Sequence, residues 1–198
     1  MTIAANLGYP RIGPRRELKF ALEAFWAGQT TEPELLQAAA GLRASSRALQ
    51  QQRGISHVPS GDFALYDHVL ETACAFGAIP EGYGWTGDGP ASLATLFALA
   101  RGARGREAER AAGIRVDAPA LELTKWFDTN YHYLVPLVSA GTRLRLLDNR
   151  WSRAVAEGLA QGTRTRPVLL GPVSFLLLCK STDGTKPLDL LPSLLPAY

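Results

Sequence analysis

Residues 165–175 read TRPVLLGPVSF, and within them Val168, Leu169 and Leu170 form an unbroken apolar run between Pro167 and Gly171-Pro172. A strand that alternates apolar and polar residues has one wet face. A continuous apolar run bounded by turn residues predicts a strand covered on both faces, which in a sheet means parallel neighbours with helices outside. The fold then depends on whether other short strands alternate with helices along the chain.

Working outward, they do. Leu121 to Phe127 is predicted as another strand, and Leu144 to Leu147 as a weaker one. Further upstream, Ile55 to Pro59 is predicted as a short buried strand. Ser60-Gly61-Asp62 then turns the chain into a segment of helical periodicity from Phe63 to Phe76. The opening is predicted as a strand from Thr2 to Asn6 and a loop punctuated by Gly8, Pro10, Gly13 and Pro14. From Arg16, Leu18, Ala21, Leu22, Phe25 and Trp26 recur at helical spacing until Gly28. A second helix is expected from Thr31, with Pro33 and Glu34 in its first turn, to Gln52, where Arg53-Gly54 ends it. Residues 81–92, EGYGWTGDGPAS, are expected to form an irregular surface loop. Residues 101–115 carry five arginines among glycines and alanines and are expected to be a solvated connection.

Repeated strand-then-helix units leave an open α/β sheet or a (β/α)8 barrel. About four units are counted where a complete barrel takes about 250 residues, so the expectation is α/β: the first half of a TIM-type barrel, with parallel strands and outer helices. Such a half would expose strand edges, and the chain is expected to be a fragment.

The composition excludes several classes. With 198 residues, 46% hydrophobic and 20% charged, the chain is neither disordered nor a coiled coil. A net charge of +3 with the cations spread along the chain gives no basis for a nucleic-acid partner. No apolar run approaches the roughly 20 residues of a membrane span, and MTIAANLGYPR lacks a secretory core, so a cytoplasmic location without membrane contact is expected. Cys74 and Cys179, far apart and outside any CxxC, suit a reducing compartment and two buried thiols.

Three constellations could carry chemistry. The loop Gly8 to Lys19 brings Arg11, Arg15, Arg16 and Lys19 to the start of a helix. There free N–H groups and the helix dipole favour anions, and Arg16 and Lys19 are three apart on one face. Leu123 to Tyr133, LTKWFDTNYHY, places Lys125 among aromatics at the end of a predicted strand, where barrel sites are built. His57, Asp62, Asp67 and His68 have no recognised metal spacing, and a structural role is favoured for them. The sequence has no Walker loop, GxGxxG or GxSxG, which removes the usual support for NTP hydrolysis, dinucleotide chemistry and serine hydrolysis.

PRIGPRRELK, GDFALYDHVL, ELTKWFDTNYHYLVP and RPVLLGPVSFLLL occur in this order from Leu7 onward. Together they resemble the N-terminal domain of cobalamin-independent methionine synthase. The resemblance implies that residues 1–198 are the first part of an N-terminal, folate-binding barrel. It implies methyl transfer from 5-methyltetrahydrofolate polyglutamate to homocysteine, without cobalamin. It also implies a zinc ion held by a C-terminal barrel whose ligands and homocysteine pocket lie outside this chain, so the chain alone is expected to be inactive. Carried over by motif, the folate-tail contacts are Arg16, Glu17, Leu18 and Lys19 in RELK and Lys125 in TKWF, with Glu17 and Leu18 shaping the site. Two other readings stand beside it: a standalone binding protein that keeps the half-barrel, and an α/β domain meeting RNA through the arginines of residues 101–115.

Overall fold

The structure, a computed structural model, describes residues 2–198. Its elements begin α1 (Glu17–Trp26), α2 (Glu32–Gln52), β1 (Val58–Ser60), α3 (His68–Phe76), α4 (Leu93–Arg101), α5 (Glu107–Ala111) and β2 (Leu123–Lys125). They continue β3 (His132–Leu134), β4 (Leu137–Val138), α6 (Arg150–Ala160), β5 (Thr165–Pro167), α7 (Pro172–Leu177), β6 (Lys180–Ser181) and α8 (Leu191–Leu194). The chain divides into two compact units. One takes the chain up to Leu65 with Arg150–Leu169, and the other takes Tyr66–Asn149 with Leu170–Tyr198.

In the first unit β1 and β5 run parallel, with Val58 opposite Thr165 and Ser60 opposite Pro167. The Val168 N–H extends the ladder to the Ser60 carbonyl at 2.8 Å. Leu18 and Leu22 of α1, Leu35 and Ala39 of α2, and Val58 supply buried apolar side chains. α2 starts where its sequence signals place it: Thr31 and Glu34 form a capping box, the Thr31 N–H donating to Glu34 Oε2 at 2.6 Å. Such a cap is worth about 1 kcal/mol. Gly61 turns the chain after β1 with φ 78°, and a Cβ there would sit 2.6 Å from the buried indole of Trp151 in α6.

The predicted strand Thr2 to Asn6 is reduced to a single parallel bridge between Ala5 and His57. The run Val168 to Leu170 also departs from its reading, because the strand is Thr165–Pro167 and Leu169 is 44% exposed. Among the described residues β5 pairs only with β1, so the apolar run lacks the second neighbour and the cover that a central strand would have.

In the second unit β2 and β3 form an antiparallel hairpin, Lys125 opposite His132 and Leu123 opposite Leu134, while β4 and β6 pair in parallel. The strand expected over Leu121 to Phe127 is therefore present in part, but as a hairpin arm with Leu123 60% exposed. α3 begins at His68, five residues later than the periodicity suggests, because Asp67 caps it. Val69, Leu70 and Phe76 of α3 are buried, as are Leu96, Phe97 and Leu99 of α4 and Phe175 of α7.

Leu144 to Leu147 is not a strand. Its N–H groups are taken by the end of α3: Arg145 donates to the Phe76 carbonyl at 3.1 Å and Leu147 to that of Ala75 at 2.9 Å. The arginine-rich segment is more structured than a solvated connection. It contains α5, and the Glu109 carboxylate, 2% exposed, accepts the N–H groups of Arg104 and Arg106 and pairs with the Arg106 guanidinium. Residues 81–92 form an irregular loop with Gly82, Gly84, Gly87 and Gly89 all at positive φ. Both cysteines are free and buried, and burial pushes the Cys179 thiol up to about 12. Among the described residues no helix is long and apolar enough to cross a membrane. The architecture is thus mixed α/β, with two parallel strand pairs and one antiparallel hairpin.

Candidate functional site

The first candidate is the loop that starts α1. Gly13, at φ 84°, makes the turn, and a Cβ on it would collide with the Glu17 carboxylate. The Arg16 N–H closes the turn on the Gly13 carbonyl at 3.1 Å, and the Leu18 N–H reaches that of Ile12 at 3.1 Å. Arg16 occupies the N-cap in a left-handed conformation, φ 66°, which costs an L-residue about 1 kcal/mol. Its side chain is exposed and makes no cap hydrogen bond. Backbone strain of this kind clusters at functional sites.

The neighbours of Arg16 are committed elsewhere. Arg11 donates to the carbonyls of Ala64 and Leu65 at 3.0 and 2.9 Å. Arg15 pairs with Glu17 at 3.1 Å, and Glu17 is held below the usual carboxylate range by its own backbone N–H and by Arg15. Lys19 reaches Glu23 at 3.2 Å and lies 5.6 Å from the Phe20 ring centroid. Leu18 is fully buried in the first unit and shapes the loop from within. Among the described residues Arg11 is held by carbonyls and Arg15 and Lys19 by carboxylates, whereas the Arg16 side chain has neither a hydrogen bond nor an ion pair, and Lys19 lies one turn beyond it.

The second candidate belongs to the other unit. Lys125 is exposed at the end of β2, immediately before a six-residue hairpin tip spanning residues 126–131. The tip is closed by the Trp126 N–H on the Tyr131 carbonyl at 2.7 Å. The Trp126 ring meets Phe127, Tyr131 and Tyr133 edge-on at 6.0–6.1 Å, and Phe127 is left-handed at φ 47°. The aromatics around Lys125 thus hold one another.

The third candidate resolves into separate structural roles. Asp67 caps α3, its Oδ2 accepting the N–H groups of Leu70 at 2.8 Å and Leu134 at 3.3 Å, while its Oδ1 accepts the Tyr131 hydroxyl at 2.8 Å. Burial pushes the Asp67 carboxyl up against the pull of those donors. Asp62 accepts the Tyr9 N–H at 2.9 Å, and burial also raises it. Among the described residues no three of His, Cys, Asp and Glu converge to hold a metal, so these residues do not fit the zinc ion that the resemblance implies. The Asp67–Tyr131 link was missed in the sequence, where only the cap position, an aspartate before an apolar helix start, was available to find it.

Further ion pairs lie within each unit. Arg43 and Arg47 both grip Glu157, and Arg115 pairs with Asp117 at 2.7 Å. A cleft of about 700 Å³ in the second unit, bordered by Gly77, Trp85, Leu137 and Arg145, includes none of the candidate residues.

Residues 3–198 match the family described as cobalamin-independent synthase, N-terminal domain. Three relatives carry the name 5-methyltetrahydropteroyltriglutamate–homocysteine methyltransferase. The protein from Acidiphilium cryptum is 62% identical over 198 residues, covering all of this chain and 25% of the relative. That from Caulobacter vibrioides is 54% identical over 207 residues, covering all of this chain and 26% of the relative. That from Chelativorans sp. is 56% identical over 195 residues, covering 98% of this chain and 25% of the relative. The chain spans about a quarter of the length of these relatives.

Proposed function

The chain belongs to the cobalamin-independent synthase N-terminal domain family, and we propose that it forms part of an enzyme moving a methyl group from 5-methyltetrahydropteroyltriglutamate to homocysteine. The observation that carries this is the match along its whole length, at 62% identity, to a relative named for that reaction. Residues 1–198 would be the first part of the N-terminal barrel, and each unit contains one parallel strand pair, β1–β5 or β4–β6, of the kind such a barrel uses.

Within this reading the chain's task is binding. The glutamate tail of the folate presents several carboxylates, which call for fixed cations rather than an acid–base pair. Arg16, with its exposed guanidinium at the N-terminus of a ten-residue helix, suits one carboxylate. Lys19 would exchange its surface pairing with Glu23 for the ligand, since an exposed i,i+4 pair holds it by only about 0.3–0.5 kcal/mol. Glu17 and Leu18 hold the loop's shape, and the family resemblance makes Lys125 a further candidate tail contact. Methyl transfer itself needs a homocysteine thiolate and a folate N5 able to leave, and both demands fall on residues outside this chain. The implied zinc ion would belong to that part.

The test is a methyl-transfer assay on the complete protein and on the 198-residue chain. Methionine formed from homocysteine and the triglutamate substrate by the complete protein alone is expected. No methionine from the complete protein, or turnover by the chain by itself, would overturn the reading.

A further inference from the structure

Resting on the reading of Lys125 as a tail contact, we propose that Asp67 and Tyr131 are positioning residues that hold the Lys125 hairpin in its binding conformation before ligand arrives. The hairpin has three-residue arms and a six-residue tip, and two strands so short have little stability of their own. Something else must fix the tip.

That anchor is the Asp67 carboxylate, which is 4% exposed. Capping α3 needs only Oδ2, through the Leu70 N–H. The same oxygen also takes the Leu134 N–H on β3, and Oδ1 is left for the Tyr131 hydroxyl at 2.8 Å. Tyr131 is 40% exposed, so its hydroxyl would be solvated if the tip swung away. It is bound instead to a buried carboxylate, the stronger kind of hydrogen bond. One side chain therefore ties the helix start to the tip and to the far end of β3.

The tether reaches Lys125 through its two neighbours. Trp126, next in the chain, donates its N–H to the Tyr131 carbonyl, and its ring is held edge-on by Tyr131 and Tyr133. His132, opposite Lys125 in register, follows Tyr131 directly. The left-handed Phe127 shows a tip determined by its surroundings rather than by its own preference. Lys125 is thus an exposed cation on a fixed base, and the ordering cost of the loop is met on folding rather than on binding.

The experiment uses the complete protein with Tyr131→Phe, Lys125→Ala and the double variant. It measures dissociation constants for 5-methyltetrahydrofolate as triglutamate and as monoglutamate, with amide exchange read at Trp126 and Leu70. Tyr131→Phe keeps the ring and removes only the hydroxyl. It is expected to weaken the triglutamate by about tenfold, the scale of one charge-assisted hydrogen bond, and to leave the monoglutamate within about twofold. Exchange should quicken at Trp126 and not at Leu70, which separates a loosened tip from a damaged helix. The double variant should lose no more than Lys125→Ala alone, because both act on one contact. Asp67→Asn, which still caps α3, should follow Tyr131→Phe in direction. If Lys125→Ala weakens the triglutamate and Tyr131→Phe does not, the tether proposal fails while the tail reading stands. If Lys125→Ala has no effect, the tail reading fails and the proposal falls with it. Equal loss of both ligands in Tyr131→Phe would also overturn it.

Discussion

Glu157→Ala should loosen the first unit where α2 meets α6. The Glu157 carboxylate takes the Arg43 Nε at 3.0 and 3.1 Å and the Arg47 guanidinium at 3.0 Å. Arg47 is 4% exposed, and its other partner is Gln161 at 2.8 Å. Truncation leaves a buried guanidinium with one neutral acceptor. Removing one partner of a fully buried pair costs about 3–5 kcal/mol, and the half-buried position of Glu157 together with the surviving Gln161 bond places this case at the lower end, about 3. Glu157→Gln, which keeps an acceptor but no charge, should cost about 1–2 kcal/mol. Amide exchange of α2 and α6 reads the loss in that unit, and about 3 kcal/mol corresponds to roughly 150-fold faster exchange. The pH dependence follows from the same geometry. Burial raises the Glu157 carboxyl, but Arg43 and Arg47 outweigh it and hold it below its ordinary value. A lowered folded value means the contribution is present above the unfolded value near 4.5 and is lost as pH falls below it. Exchange in α2 and α6 that stays within threefold of the parent at pH 7 would refute a role for Glu157 in holding the buried Arg47.

Gly61→Ala should destabilise the first unit by about 2–3 kcal/mol, seen as a lower urea midpoint, since the new Cβ meets the Trp151 ring at a left-handed position. Arg16→Gly should act oppositely on stability and function. It relieves about 1 kcal/mol of backbone strain and raises the urea midpoint while weakening a triglutamate ligand of the complete protein, and a lower midpoint would contradict the left-handed assignment. Cys179, with its thiol pushed up to about 12 by burial and donating to the Phe175 carbonyl at 3.2 Å, should resist alkylation at pH 8 until urea unfolds the second unit. Labelling of the native chain at the rate of an unfolded thiol would refute that burial.

What could be read from the chain alone was local. α2 starts and stops where Thr31, Pro33, Glu34 and Arg53-Gly54 place it, because caps and breakers act over a single turn. The glycines of residues 81–92 likewise declare an irregular loop through positive φ. Strands were harder, since Leu144 to Leu147 has strand-like residues but spends its N–H groups on the end of α3. Val168 to Leu170 reads as a covered strand, yet its burial depends on neighbours that local sequence does not record. The site shows the same division. RELK was visible as cations at a helix start, but that Arg11 is consumed by two carbonyls and Arg15 by Glu17 is a matter of tertiary placement. Asp67 and Tyr131 lie 64 residues apart, and no periodicity connects them.

In this reading the chain's cations bind the polyglutamate tail of a methylfolate. The most direct test is titration of the complete protein and its Arg16→Ala, Lys19→Ala and Lys125→Ala variants with 5-methyltetrahydrofolate as triglutamate and as monoglutamate. Each variant is expected to weaken the triglutamate by about tenfold, the scale of one charge-assisted contact, and to leave the monoglutamate within about twofold. Equal weakening of both ligands, or of neither, would contradict it.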